Sequence, residues 1–214
     1  MLYSGAEILV KIFFKLQLGR VEGLENLPPP PCIMAVNHVS PYDPQLIVLQ
    51  LYPWLKKYNK KIAFLTNRKV IALFAPFHKF LGMFPGTKEG LTKALDYIHQ
   101  GIPIGIFPNR DRRSKTMKRF HLGPVYLSAK THVPIVPIGI KTKEEVYPSW
   151  NISKAIKSFF YKKHIIIGQP FFVEQGTSLI KATEELTLKV AGLINKEVSR
   201  PQFINNQLKK THKI

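Results

Sequence analysis

Acidic residues are scarce in this chain. Thirteen Asp and Glu stand against 32 Lys and Arg, giving a formal net charge of +19 and a pI near 10.0. Such an imbalance says little about fold, but it favours polyanionic partners: nucleic acid, anionic lipid or phosphorylated substrates. The basic residues are spread along the whole sequence, with no Arg-rich tail and no Gly-Arg repeat. Phe13 and Phe14 lie in an apolar run rather than between basic residues, a poor arrangement for base stacking. Nucleic acid is therefore not an expected partner, and a basic nucleic-acid-binding protein stands only as a rival reading that the net charge raises. Cysteine is nearly absent. Cys32 is the sole one, so no intrachain disulfide can form, and it opens the apolar run Cys32-Ile33-Met34-Ala35-Val36, where a buried inert thiol is expected. No stretch of about 18 uncharged apolar residues occurs, so no transmembrane helix is expected. The N-terminus lacks a basic leader region and a small-residue cleavage site, so no signal peptide is expected. Internal repeats, low-complexity tracts and a second domain are also missing. The 214 residues are 45% hydrophobic, enough for one domain with a sizeable core.

What is present begins with an apolar segment at residues 5–18. Glu7, Lys11 and Lys15 fall at i, i+4 and i+8 and make one polar stripe. Ile8, Leu9, Val10, Ile12, Phe13, Phe14 and Leu16 cover the rest, so a helix here must bury most of its circumference. It would be roughly 20 Å long, too short to span a bilayer. Packing in the core and lying in a membrane interface with the lysines outward both fit. Residues 1–20 are assigned to this helix and 21–214 to the remaining domain. Pro28 to Pro31 form a stiff connector. Near-continuous apolar runs at 32–36, 62–66, 104–107, 135–140 and 164–167 predict strands covered on both faces. Between them, 44–51, 70–79, 89–99, 124–131 and 178–198 read as helices, with Pro201 just beyond the last. The alternation predicts a single α/β domain with a mixed, largely parallel central sheet flanked by helices.

Four segments carry chemistry. Asn37-His38-Val39-Ser40-Pro41-Tyr42-Asp43 follows the first predicted strand directly, and catalytic groups collect at strand ends in α/β sheets. Pro41 forces a turn and Pro44 starts a helix, which can return the Asp43 carboxylate to an imidazole nitrogen of His38. That bond would fix the ring tautomer and stabilise the imidazolium formed when the other nitrogen takes a proton. With seven His and only three Asp in the chain, the spacing alone is weak support. Leu81-Gly82-Met83-Phe84-Pro85-Gly86-Thr87-Lys88 is a turn-rich loop ending in a cation. Phe107-Pro108-Asn109-Arg110-Asp111-Arg112-Arg113-Ser114 follows a strand and is dense in guanidinium groups, which hold phosphate by forked hydrogen bonds; a solvated basic loop is the plainer alternative. Val133-Pro134-Ile135-Val136-Pro137-Ile138 is an apolar wall whose two prolines suit a strand that starts late.

In composition and order these four pieces resemble the 1-acylglycerol-3-phosphate acyltransferase family of glycerolipid acyltransferases: Asn-His-x4-Asp, a Gly-to-Arg block, Phe-Pro-Glu-Gly-Thr-Arg, then Val-Pro-Ile-Val-Pro. The resemblance covers about residues 5–140. It implies a glycerolipid-acyltransferase-like fold with an amphipathic N-terminal helix. It also implies transfer of a fatty acyl group from acyl-CoA or acyl carrier protein to the hydroxyl of a lysophospholipid, with 1-acylglycerol-3-phosphate the foremost acceptor. His38 would be the general base and Asp43 its orienting carboxylate. Asn37, Lys88, Arg110 and Arg112 would bind substrate, and no metal or cofactor is implied beyond the thioester co-substrate. The partners implied are the acceptor, the acyl donor, acyl carrier protein and an anionic membrane surface, with the protein peripheral on the cytoplasmic face. Two blocks depart from the pattern. Glu-Gly-Thr-Arg becomes Asn109-Arg110-Asp111-Arg112, so only Arg112 keeps its family counterpart. The second block's Arg is matched by Lys88, which keeps charge and loses the planar fork. The rival expectation these departures raise is a lipid-binding family member without turnover.

Overall fold

The computed structural model describes residues 17–40, 42–66, 82–109, 116–143, 160–174 and 176–198. Seven strands form one sheet: β1 (Leu18–Glu22), β2 (Ile33–Val36), β3 (Ala63–Thr66), β4 (Met83–Pro85), β5 (Ile104–Ile106), β6 (Ile135–Thr142) and β7 (Lys163–Ile167). Their spatial order is β1-β7-β6-β2-β5-β3-β4. Strands β4, β3, β5, β2 and β6 run parallel. β7 is antiparallel to β6, and β1 is parallel to β7. The described helices are α1 (Asp43–Gln50), α2 (Tyr52–Lys57), α3 (Lys88–His99), α4 (Gly123–Thr131) and α5 (Leu179–Leu193).

The period-2 geometry of the strands divides the core into two layers. On β2, Ile33 and Ala35 face α3, α4 and α5, packing with Ala94, Val125, Leu186 and Val190. Met34 and Val36 face the opposite way, with Ile47 of α1 and Trp54 and Leu55 of α2. β2 is buried at every residue, which is why its sequence is a continuous apolar run rather than an alternating one. Cys32 lies wholly inside this layer, and burial pushes its thiol up to about 12.

The five predicted strands are all present, and two more flank them. β1 takes residues 18–22, so Leu18, expected as helix, and residues 19–20, assigned to the same helix, are strand. Strand pairing outweighs the helical pattern there: Leu18 and Val21 pair with Lys163 and Ile165 of β7. The rest of that segment and the helix expected over 70–79 lie outside the described residues. The helix expected over 44–51 begins one residue earlier, at Asp43, and a second helix, α2, follows with Pro53 in its first turn. The helix expected over 178–198 stops at Leu193. The connector at 28–31 contains a cis Pro30–Pro31 peptide. Pro134 precedes β6, whereas Pro137 lies within it. The Pro137 carbonyl accepts from Gly168 N–H, just past the end of β7. The missing proline donor thus falls where the ladder is already ending.

Candidate active site

Parallel strands place their carboxyl ends on one edge of the sheet, and the chemistry-bearing segments collect there. His38 stands two residues past β2, Lys88 three past β4 and Asn109 three past β5. The centre of the site is the turn from β2 into α1. His38 Nδ1 lies 2.7 Å from Asp43 Oδ2. The same oxygen accepts the Val39 N–H at 2.7 Å and the Ser40 N–H at 2.8 Å. Asp43 N–H in turn donates to Ser40 O at 3.2 Å. One carboxylate thus shapes the loop and holds the ring, so the turn is arranged before any substrate arrives. Asp43 is fully buried, while the His38 side chain keeps 11% exposure. With Nδ1 engaged by the carboxylate, the ring's basic lone pair is on Nε2.

Two further contacts fix the ring and its backbone. Phe107, one residue past β5, places its ring centroid 4.5 Å from that of His38. Phe107 is itself stacked on Phe64 of β3 at 6.1 Å. Gly105 makes room for this stack, since a Cβ there would stand 2.5 Å from the Phe64 ring. Asn37 has a different place from the expected substrate contact. Its Nδ2 donates to Ile140 O at 3.0 Å, its Oδ1 accepts from Ile140 N–H at 2.6 Å, and the residue is 2% exposed. The amide extends β2 by one peptide-like rung toward β6.

Of the expected phosphate-binding residues, Lys88 is the one the structure describes. Lys88 is exposed at the start of α3, where Thr87 caps the helix by accepting the Gly90 N–H at 3.2 Å. β4 lies three strands from β2, roughly 14 Å at the usual spacing. Arg110 and Arg112 lie outside the described residues. The flanks of the arginine segment are defined: His121 N–H donates to Pro108 O at 2.9 Å. Phe120 N–H donates to the Thr187 hydroxyl of α5 at 3.1 Å. Asn109, standing where the family has Glu, has a buried side-chain oxygen with no hydrogen-bond partner among the described residues. Among those residues no cluster of His, Cys, Asp and Glu could hold a metal ion.

The His38–Asp43 pair thus lies at the carboxyl edge of the parallel strands of an α/β sheet, where functional groups of such sheets collect. A family model described as Acyltransferase matches residues 19–141, a span that includes the whole pair, and the chain belongs to that acyltransferase family. It is similar to the chloroplastic 1-acyl-sn-glycerol-3-phosphate acyltransferase of Brassica napus, 26% identical over 156 residues that make up 67% of this chain and 42% of the relative. The chain thus spans less than half the length of that relative. Among solved structures it is similar to the 1-acyl-sn-glycerophosphate (LPA) acyltransferase of Thermotoga maritima. That match has a TM-score of 0.58 and 20% identity, and covers 87% of this chain and 78% of the other. At that identity the likeness establishes the shared fold.

Proposed function

We propose that this chain transfers a fatty acyl group from acyl-CoA or acyl carrier protein to the free hydroxyl of a lysophospholipid, 1-acylglycerol-3-phosphate foremost. The observation that carries the reading is the buried Asp43 carboxylate holding His38 Nδ1 at 2.7 Å at the end of β2, inside the span matched by the family model. His38 Nε2 takes the proton of the acceptor hydroxyl as its oxygen attacks the thioester carbonyl. The C–S bond then breaks, and the leaving thiolate takes the proton from His38 Nε2, which restores the neutral base. Asp43 stabilises the transient imidazolium, so the acyl group passes directly to the acceptor without a covalent acyl-enzyme. Lys88, with Arg110 and Arg112, would hold the acceptor phosphate through charge-assisted hydrogen bonds. The enzyme would work on the cytoplasmic face of an anionic membrane, from which it draws the acceptor.

The altered block at Asn109-Arg110-Asp111-Arg112 favours one second reading, a lipid-binding member without turnover. Purified protein, radiolabelled acyl-CoA or acyl carrier protein, and a panel of lysophospholipids decide between them. Labelled diacyl product from the native chain, lost by at least ~100-fold in His38→Ala with the fold retained, is the expected result. Equal turnover by His38→Ala would sink the mechanism. No product from any acceptor, with lysolipid still bound, would favour the second reading.

A further inference from the structure

β6 outruns its neighbour β2. β2 ends at Val36, opposite Ile138, while β6 continues to Thr142, roughly 13 Å farther at the usual rise per residue. β7 follows it to the end, with Thr142 opposite Lys163 and Lys141 opposite His164. Asn37 is bonded to Ile140, so residues 141–143 stand beyond the neighbour of His38 at the carboxyl edge. The two strands thus make a ledge beside the site. β1 starts on the same ledge. Leu18 pairs with Lys163, Lys163 N–H donates to Gln17 O at 2.9 Å, and the buried Lys163 Nζ donates to Gln17 Oε1 at 2.7 Å. The apolar segment that precedes Gln17 in the sequence therefore joins the domain at the His38 side of the sheet.

The ledge ends in exposed side chains. Lys141, Lys143 and Lys162 are exposed, and Phe160 is 62% exposed, a large apolar ring among cations. No Asp or Glu occurs among the described residues of this end, 17–20, 139–143 and 160–164. Glu144 and Glu145 follow in the chain, yet from 141 to 163 lysines outnumber acids six to two. The opposite end of the same strands carries the exposed acids Glu22, Glu25 and Glu174. Charge that served solubility alone would have no reason to sort by end. An exposed aromatic flanked by lysines suits the surface of an anionic bilayer, where the ring enters the headgroup region and the ammonium groups meet lipid phosphates. We propose that Phe160, Lys141, Lys143 and Lys162, at the tip of the β6–β7 ledge, form a docking surface for an anionic lipid bilayer. The inference rests on the reading of the acceptor as a membrane lipid. Docking by this end turns the carboxyl edge, with His38, toward the lipid, and the apolar residues 8–16 leave the domain from the same side. An acidic protein would also meet the lysines, but the apolar segment joining at this end favours lipid.

Two measurements without catalysis test the surface. The first is flotation of the full chain with vesicles containing anionic lipid. Lys141→Gln/Lys143→Gln/Lys162→Gln should bind at least ~10-fold more weakly than the native chain. Lys56→Gln/Lys57→Gln/Lys61→Gln removes the same charge from exposed positions ahead of β3, at the opposite edge, and should weaken binding by less than ~3-fold. Equal losses in the two variants would mean that net charge alone binds the vesicle, and would overturn the docking surface. The second places an environment-sensitive fluorophore on Phe160→Cys or on Lys61→Cys, with the wholly buried Cys32 left unlabelled. On vesicles the emission at 160 should shift to the blue and that at 61 should stay. No shift at 160, or the same shift at both, overturns the orientation. Acyl transfer separates this surface from the reaction itself. A short-chain acceptor dissolved as monomers should be used equally by the native chain and the ledge variant, and a vesicle-borne acceptor at least ~10-fold less well by the variant. If the native chain transfers to neither, the reading of the reaction fails, and flotation and fluorescence still decide the surface. A ledge variant that floats like the native chain but no longer binds acyl carrier protein would assign the lysines to that partner and overturn the lipid proposal.

Discussion

Asp43 combines two tasks that most carboxylates perform separately. Its Oδ2 holds the His38 ring and also gathers the Val39 and Ser40 N–H groups into the turn. Two substitutions separate these tasks. Asn at this position keeps an oxygen for the two backbone donors, but its amide cannot serve as a negative acceptor for the imidazole. The tautomer with its lone pair on Nε2 then loses its support. Turnover should fall on the order of 10²- to 10⁴-fold, as the corresponding change does in a Ser-His-Asp triad, while thermal stability is nearly kept. Ala removes the loop bonds as well and should cost a further ~1–3 kcal/mol for buried donors left unsatisfied. Steady-state kinetics beside thermal melts would show the split. Native-like turnover in Asp43→Asn would mean that Asp43 shapes the loop and has no part in proton transfer.

At the scale of elements, β5 supports the site from the side through a chain of rings. Gly105 admits Phe64, Phe64 backs Phe107, and Phe107 backs His38. Gly105→Ala would put a methyl group 2.5 Å from the Phe64 ring. The overpacking should cost ~1–3 kcal/mol, and tilting the stack should lower turnover by roughly 10-fold at temperatures where the protein is fully folded. Activity that falls only in step with the unfolded fraction would remove the rings from the site. The same strands show what one sequence can disclose. β2, β3, β5, β6 and β7 were legible because strands covered on both faces read as unbroken apolar runs. β1 and β4 are the edge strands. β1 is only half buried and β4 has three residues inside a turn-rich stretch, so neither leaves a strong pattern. α2 leaves no separate signal, because it follows directly on α1, with Pro53 in its first turn. The His38–Asp43 pair was legible because both partners sit in one turn. The contacts of Asn37 and Phe107 were not. Each depends on a partner supplied by another strand or helix, as Asn37 does on Ile140 across 103 positions, and local spacing carries no trace of such contacts.

The whole molecule carries a net charge of +19, and among the described residues no helix is long and apolar enough to cross a membrane. For the proposed reaction the protein must still reach an acceptor whose acyl chain stays in the bilayer. Charge alone can supply the attraction, since a basic residue near an anionic surface contributes on the order of 1 kcal/mol. That attraction is long-ranged only at low salt, because the Debye length shrinks from about 10 Å at 0.1 M to about 3 Å at 1 M. Apolar insertion of residues 8–16, with Lys11 and Lys15 outward, would add a term that salt does not weaken. Flotation with vesicles separates the two. The full chain should float with vesicles containing anionic lipid and bind neutral vesicles at least ~10-fold more weakly. Raising the salt should release most of the charge-driven fraction. The fraction that persists measures insertion and should vanish in Ile12→Glu/Phe13→Glu, which places charge on the apolar face. A chain that floats with neither vesicle type at low salt would have to meet its acceptor off the membrane, and the interfacial reading of both the charge and the N-terminal segment would then be lost together.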